Sequence, residues 1–299
     1  MTAYRFATYD VFTEARFTGN PLAVVFEADA LTDAQMQTIA REFNLSETIF
    51  VRTATDERHT ASVRIFTPTK ELPFAGHPTI GCAVAWAEAN HGRGEPRDLL
   101  LVLEEKIGPV RCGVKIATDG ASFAEFVAPK LSISAGDDPS LETAAGAIGL
   151  TPADLGFGAH IPSIFSAGVP FAMVPVADIA ALGRVRPSND LSQHLGVTEC
   201  FIYTRAERDA PHSFRARMFA PELGIIEDPA TGGAAAAFAG ALARFEKLDD
   251  GWHTLPILQG VEMGRPSLIG LEINIEAGAL AGVRIAGKAV KVSEGTLYA

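Results

Sequence analysis

Phe74-Ala-Gly-His77-Pro78-Thr79-Ile-Gly81 and Glu227-Asp228-Pro229-Ala-Thr231-Gly232-Gly233 each set a titratable side chain before a proline, in a stretch that carries glycine. A matching strand-like phrase precedes each of them, Arg64-Ile-Phe66-Thr-Pro68 in one case and Arg217-Met-Phe219-Ala-Pro221 in the other. The likeness continues along the chain. Gly19-Asn20-Pro21-Leu-Ala23-Val-Val25 returns as Gly168-Val-Pro170-Phe-Ala172-Met-Val174, Ser46-Glu47-Thr48 as Thr198-Glu199-Cys200, and Gly108-Pro109 more loosely as Gly264-Arg-Pro266. The pairs keep their order and their offset drifts only between 149 and 156 residues (Gly19 to Gly168, Gly108 to Gly264). A near-constant offset marks an internal repeat, so one architecture built twice is expected.

Composition agrees with two units. The chain has 299 residues, 47% of them hydrophobic, enough for a large core, and soluble domains of about 100–200 residues make two the natural count. The formal charge is −11 and no block of Lys or Arg interrupts it, so the long-range field repels phosphate backbones and anionic membranes. Neither nucleic acid nor a membrane is an expected partner. Arg5 and Asp10 fall where a signal peptide needs an apolar run, and nothing approaches the ~18 apolar residues of a membrane span, so a soluble cytoplasmic protein is expected. Cys82, Cys112 and Cys200 form no CxxC spacing and cannot all pair, which fits a reducing compartment and buried thiols.

Short β-rich runs dominate both halves, for example 3–11, 22–26, 48–52, 62–66, 99–104 and 110–115, then 171–176, 200–204, 214–219 and 267–275. Thr32-Asp-Ala-Gln35 has the form of a capping box and opens an amphipathic helix that Asn44 stops. Two other helices, 79–89 and 232–245, are alanine-rich and apolar nearly all round, which makes them buried helices. The expected class is α+β, with two pseudo-symmetric domains, each a mixed or antiparallel sheet rolled around its central apolar helix. The boundary is placed near Thr118-Asp119-Gly120. Residues 1–119 with the returning strand 283–299 then form the first half, and 120–282 the second.

The helix starts carry the chemistry. Pro78 and Pro229 suit a first helical position, which puts His77 and Asp228 at the caps. Under a pseudo-two-fold the two starts converge, and the N–H groups of Thr79, Ile80 and Gly81, with those of Thr231, Gly232 and Gly233, would then face an anion. A small carboxylate suits this site better than a polyphosphate, because there is no Walker-type Gly-Lys-Ser/Thr, no GxGxxG and no basic counterpart. Glu47 stands between a helix end and an apolar strand; partial burial there would let one carboxyl both remove and return a proton near neutrality, whereas in the bland alternative it is a solvated loop glutamate. Neither a zinc-type His/Cys cluster nor a nucleophile elbow is present, and His77 with Asp228 is too small a set to hold a metal.

Asp10-Val-Phe-Thr with Phe17-Thr-Gly-Asn-Pro-Leu-Ala-Val-Val25, Asn44-Leu-Ser-Glu47-Thr, Phe74-Ala-Gly-His77-Pro-Thr, Glu227-Asp228-Pro-Ala-Thr-Gly, Gln259-Gly260 with Met263-Gly-Arg-Pro-Ser267, and Gly287-Lys-Ala-Val-Lys-Val resemble the signatures of the PhzF-like phenazine biosynthesis isomerases, of the diaminopimelate epimerase fold. The resemblance runs nearly end to end. It implies two mirrored domains with a ligand cleft between them, no cofactor and a homodimer. By the same resemblance Glu47 corresponds to a proton-shuttling glutamate, and His77 and Asp228 to a cleft histidine and aspartate. Asn20, Ser46, Gly76, Thr231, Gly232 and Gly233 make up the expected substrate-binding set. Related epimerases and proline racemases use two cysteines as acid and base; neither helix-start segment here contains one, so thiol racemisation is not expected. The chain departs from the family at Gly233, where a serine is often found. A hydroxyl donor is missing there, which argues against the phenazine precursor itself as substrate. The expected function is a cofactor-independent isomerase that moves a proton between carbons of a small carboxylate. The alternative is a catalytically silent small-molecule binding protein on the same fold.

Overall fold

The structure, a computed structural model, describes residues 2–299. The chain forms two compact units. One runs through Pro129 and takes in Ala286–Ala299, and the other is Lys130–Ile285.

The first unit contains β1 (Ala3–Val11), β2 (Asn20–Val25), α1 (Asp33–Phe43), β3 (Glu47–Arg52), β4 (Ala61–Phe66), β5 (Glu71–Leu72), α2 (Gly76–His91), β6 (Arg97–Glu105), β7 (Gly108–Ile116) and β8 (Ser122–Val127). β1 and β2 are antiparallel, β2 runs parallel to β3, and β3 is antiparallel to β4. β4 then lies parallel to β6, which leads through two antiparallel pairings to β8. These strands wrap α2, which packs against β1, β2, β3, β6, β7 and β8. Along β7, Val110, Cys112, Val114 and Ile116 are buried in alternation, as the two-residue period of a strand requires when one face meets a core. Gly81 lets α2 come close to the sheet, because a methyl group there would sit 2.5 Å from Leu22 Cδ2 and 2.8 Å from Val11 Cγ2. α1 opens on the Thr32/Gln35 capping box and ends at Asn44 in the left-handed region, as its sequence predicts.

The second unit contains β9 (Ile133–Ser134), α3 (Leu141–Ala147), β10 (Ser163–Ser166), β11 (Pro170–Pro175), α4 (Ile179–Arg184), α5 (Leu191–Leu195), β12 (Cys200–Arg205), β13 (Phe214–Ala220), β14 (Ile225–Asp228), α6 (Gly232–Phe245), β15 (Gly251–Thr254), β16 (Ile257–Gln259) and β17 (Ser267–Glu276). The long strand β18 (Ala279–Tyr298) follows, and its far half pairs with β1 in the first unit. The repeat is visible in the strand registers. Ala23 opposes Thr48 across the parallel pair β2–β3, and the equivalent Ala172 opposes Cys200 across β11–β12. Phe50 opposes Arg64, and Ile202 opposes Arg217. On α6, Phe238 packs among Phe201, Tyr203 and Phe214 with ring centroids 4.4–5.5 Å away. The α+β class and the central apolar helix of each half are as expected.

Two details differ from the sequence reading. The first unit extends to Pro129 because Ser122–Val127 pairs antiparallel with β7, so the chain leaves that sheet ten residues later than the Asp119 turn suggests. The start of the first buried helix and the caps of both also differ, while the second starts at Gly232 as read. α2 begins at Gly76 with Ala75 as its cap, which places His77 and Pro78 inside the first turn, and α6 begins at Gly232 with Thr231 as its cap. Pro78 is tolerated two positions further in because the first three helical residues have no intrahelical acceptor for an N–H. Asp228 instead ends β14, three residues before the cap.

Candidate active site

In the first unit the fold brings together three of the expected residues. Asn20 opens β2, Glu47 opens β3 and His77 lies in the first turn of α2, and all three are buried. The parallel pairing of Leu22 with Glu47 fixes the first two side by side, and α2 supplies the third. His77 Nδ1 lies 3.2 Å from Asn20 Nδ2 and 3.4 Å from Glu47 Oε2. The second contact is not an ion pair, because burial pushes the imidazolium down to about 3 and the ring is neutral at physiological pH. A neutral ring has one bare nitrogen and one N–H. If Nδ1 accepts from Asn20, the proton is on Nε2, which is buried with no hydrogen-bond partner among the described residues. In the other tautomer the hydrogen is on Nδ1, the nitrogen nearer Glu47; a hydrogen bond to the Pro21 carbonyl favours the charged ring but does not offset its burial. Burial of Glu47 excludes the solvated-loop reading. Ser46, half-buried, immediately precedes it. Glu199, its counterpart in the repeat, is more exposed and lies before its strand rather than in it.

The N–H groups at this start are not the three expected. Thr79 N–H donates to Ala75 O at 3.2 Å, and Ile80 and Gly81 lie beyond the first turn, so the N–H groups without an intrahelical acceptor are those of Gly76 and His77.

In the second unit Asp228, also buried, accepts a 2.5 Å hydrogen bond from Thr231 Oγ1. Gln259 closes the turn. Its Nε2 donates to Asp228 O at 2.7 Å and to Thr231 Oγ1 at 3.2 Å, while its Oε1 accepts from Thr231 N at 3.3 Å. Thr231 N–H is thereby used, and Gly232, Gly233 and Ala234 are the positions without an intrahelical acceptor, since the first helical bond runs from Ala235 N to Thr231 O. Gly233 has room for a side chain, the nearest atom to a Cβ there being Phe171 Cζ at 3.9 Å. Gly260 has no such room. Its φ is +75°, and a Cβ would meet Arg265 O at 2.5 Å and Pro229 O at 2.6 Å. Gly260→Ala is expected to cost at least about 1–3 kcal/mol in urea denaturation and to displace Pro229 beside Asp228. A stability equal to that of the wild type would contradict this.

Sequence reading missed the groups that hold these starts. Arg64 makes a two-pronged ion pair with Glu71, and Arg217 makes the same pair with Glu227 at 2.8 and 2.9 Å. Each arginine also lies over the ring two residues on, Phe66 at 5.3 Å and Phe219 at 4.8 Å. The Arg-x-Phe phrases that reveal the repeat were therefore the available signal. Gln259 appears in the sequence only as part of a family signature, and its contacts with Asp228 and Thr231, 31 and 28 positions earlier, leave no local trace. The three cysteines are free, and burial pushes each thiol up, so they remain thiols.

Comparison with known proteins gives a consistent picture. Residues 9–295 match the model of the phenazine biosynthesis-like proteins, PhzC-PhzF. An uncharacterized isomerase of Mesorhizobium japonicum is 46% identical over 100% of both chains. The trans-2,3-dihydro-3-hydroxyanthranilate isomerase of Pseudomonas chlororaphis is 36% identical over 98% of this chain and 99% of its own. Among solved structures, the Bacillus anthracis phenazine biosynthesis protein of the PhzF family superimposes with a TM-score of 0.87 at 27% identity, covering 100% of both chains. With family model, full-length relatives and fold in agreement, this chain belongs to the PhzC-PhzF family and is, like these relatives, an isomerase.

Proposed function

We propose that this isomerase moves a proton between two carbons of a small carboxylate, with Glu47 as the group that removes and redelivers it. The observation that carries the reading is the buried contact of Glu47 with a neutral His77. A carboxylate excluded from bulk water and held against a neutral partner can take a proton from carbon without competition from solvent. As Glu47 takes that proton its negative charge disappears, while the neutral His77 ring stays in place beside it. In this reading the first-turn N–H groups of Gly76 and His77 on α2 bind the carboxylate and stabilise developing charge. A single acid/base group contributes about 10²–10⁴-fold, so the substrate must already be activated, for example by conjugation.

The Pseudomonas chlororaphis relative is named for a cyclic, unsaturated carboxylate of that kind, which makes trans-2,3-dihydro-3-hydroxyanthranilate the first compound to test. The absence of a hydroxyl at Gly233 favours a relative of that compound over the compound itself. The test is incubation of a panel of such conjugated carboxylates in D₂O, with deuterium located in the product by NMR. Turnover supports the reading, and the share of solvent-derived deuterium at the newly protonated carbon measures how far the proton on Glu47 exchanges before it is redelivered. No turnover or exchange with any member of the panel removes it.

A further inference from the structure

Glu105 is a buried acid that the reaction does not use. It ends β6 on the core face, where the alternation of Leu101 and Leu103 calls for a third apolar residue. Its Oε1 lies 2.7 Å from Thr79 Oγ1 in the first turn of α2, and Thr79 Oγ1 also lies 2.8 Å from the cap carbonyl, Ala75 O. A hydroxyl has one proton and cannot donate to both. Both short contacts are satisfied at once only if Glu105 is protonated, so that it donates to Thr79 and Thr79 donates to Ala75. The remaining oxygen, Oε2, is buried without a hydrogen-bond partner among the described residues. That is tolerable for the carbonyl oxygen of a neutral acid and costly for a carboxylate.

Among the described residues no cation offsets a charge there. The titratable groups that face Glu105 are the Cys82 thiol on α2 and the Cys112 thiol on β7. Glu104, on the opposite face of the strand, accepts from Thr55, Asp56 and His59. Lys106 pairs with Glu71, which Arg64 also holds. Burial accordingly pushes Glu105 up to about 8.

The same hairpin tip grips the segment leading into α2 at two further points, since Lys106 holds Glu71 and Ile107 N donates to Pro73 O at 3.1 Å. We propose that Glu105 is a positioning residue for the His77 site: as a neutral acid it fixes Thr79 to the Ala75 carbonyl and so pins the first turn of α2 from the β6–β7 tip. Ionisation reverses the direction of the bond. The Thr79 hydroxyl then turns to the carboxylate, Ala75 O loses a donor, and the turn holding Gly76 and His77 loosens. The proposal rests on the assignment of His77 to the site, but its test does not depend on turnover.

The first measurement is the infrared band of a protonated carboxyl group at pH 7, expected in the wild type and absent in Glu105→Gln. The second is the NMR signal of the His77 ring. His77 itself titrates far lower, so a step in its resonance with a midpoint near 8 reports on Glu105. Over the same interval, protection of the Thr79 amide is expected to fall about five-fold, the value of one ordinary hydrogen bond. Glu105→Gln, which still offers a donor to Thr79 but cannot ionise, is expected to abolish both changes. Thr79→Val gives an independent test if that variant fails to fold: the carboxyl band is retained but shifted, and the His77 step is lost. A wild type without the band, or a His77 step that survives in either variant, overturns the proposal. Full turnover in His77→Gln would instead remove the site assignment and leave these spectroscopic results standing.

Discussion

Glu47→Gln is expected to lower turnover by about 10²–10⁴-fold, the share that one positioned acid/base group supplies, while leaving thermal stability equal to or above that of the wild type. The substitution keeps the shape of the side chain and its place at the head of β3, beside Leu22 and 3.4 Å from the His77 ring. It removes only the ability to hold a proton. Stability is not expected to suffer, because an amide costs less to bury than a carboxylate. The check is turnover with deuterium incorporation, alongside a thermal melt. Solvent exchange within a few-fold of wild type in the folded variant would place the proton transfer on another residue. Glu199→Gln is the natural control, since the equivalent residue in the second unit is more exposed and precedes its strand.

The largest expected loss of stability lies in the second unit. Arg217→Met is expected to cost about 3–5 kcal/mol, the usual penalty for removing one partner of a buried ion pair and leaving the other charge uncompensated. Arg217 is 6% exposed, holds both oxygens of Glu227, and donates to the carbonyls of Leu182 at 3.1 Å and Val185 at 3.4 Å. Its loss leaves Glu227 and the end of α4 without these bonds, one residue before Asp228. The repeat provides a comparison. Arg64→Met is expected to cost less, because Lys106 remains on Glu71. Urea denaturation of the two variants measures the difference, and Arg217→Met combined with Glu227→Gln is expected to recover a large part of the loss, since the stranded charge is gone. A single Arg217→Met variant within about 1 kcal/mol of the wild type would show the fork to be dispensable, as exposed ion pairs are.

How much of this was legible beforehand follows from how far apart the relevant residues are in the chain. Arg64 and Arg217 marked the repeat and proved to occupy equivalent registers, because strand alternation and a fixed offset are properties of the sequence read along one dimension. α6 starts at Gly232 as read, but α2 starts three residues before Thr79, and neither His77 nor Asp228 is a cap. The His-Pro and Asp-Pro pairs look alike locally, but Ala75 opens one helix and the Gln259-tied Thr231 opens the other. Glu105 was passed over for a similar reason. A glutamate followed by Lys106, next to Gly108-Pro109, reads as the solvated end of a hairpin, and its partner Thr79 lies in a different element.

Duplication, strand-rich halves each carrying one buried alanine-rich helix, and the candidates Glu47, His77 and Asp228 were all set out by residue order alone. Periodicity, composition and repeat spacing need no third dimension. Protonation was decided elsewhere: His77 stays neutral and Glu105 holds its proton only because β-strands and a helix distant in the chain exclude water from both. The free energy of a charge depends on what surrounds it, and those surroundings exist only once the chain has closed around its helix.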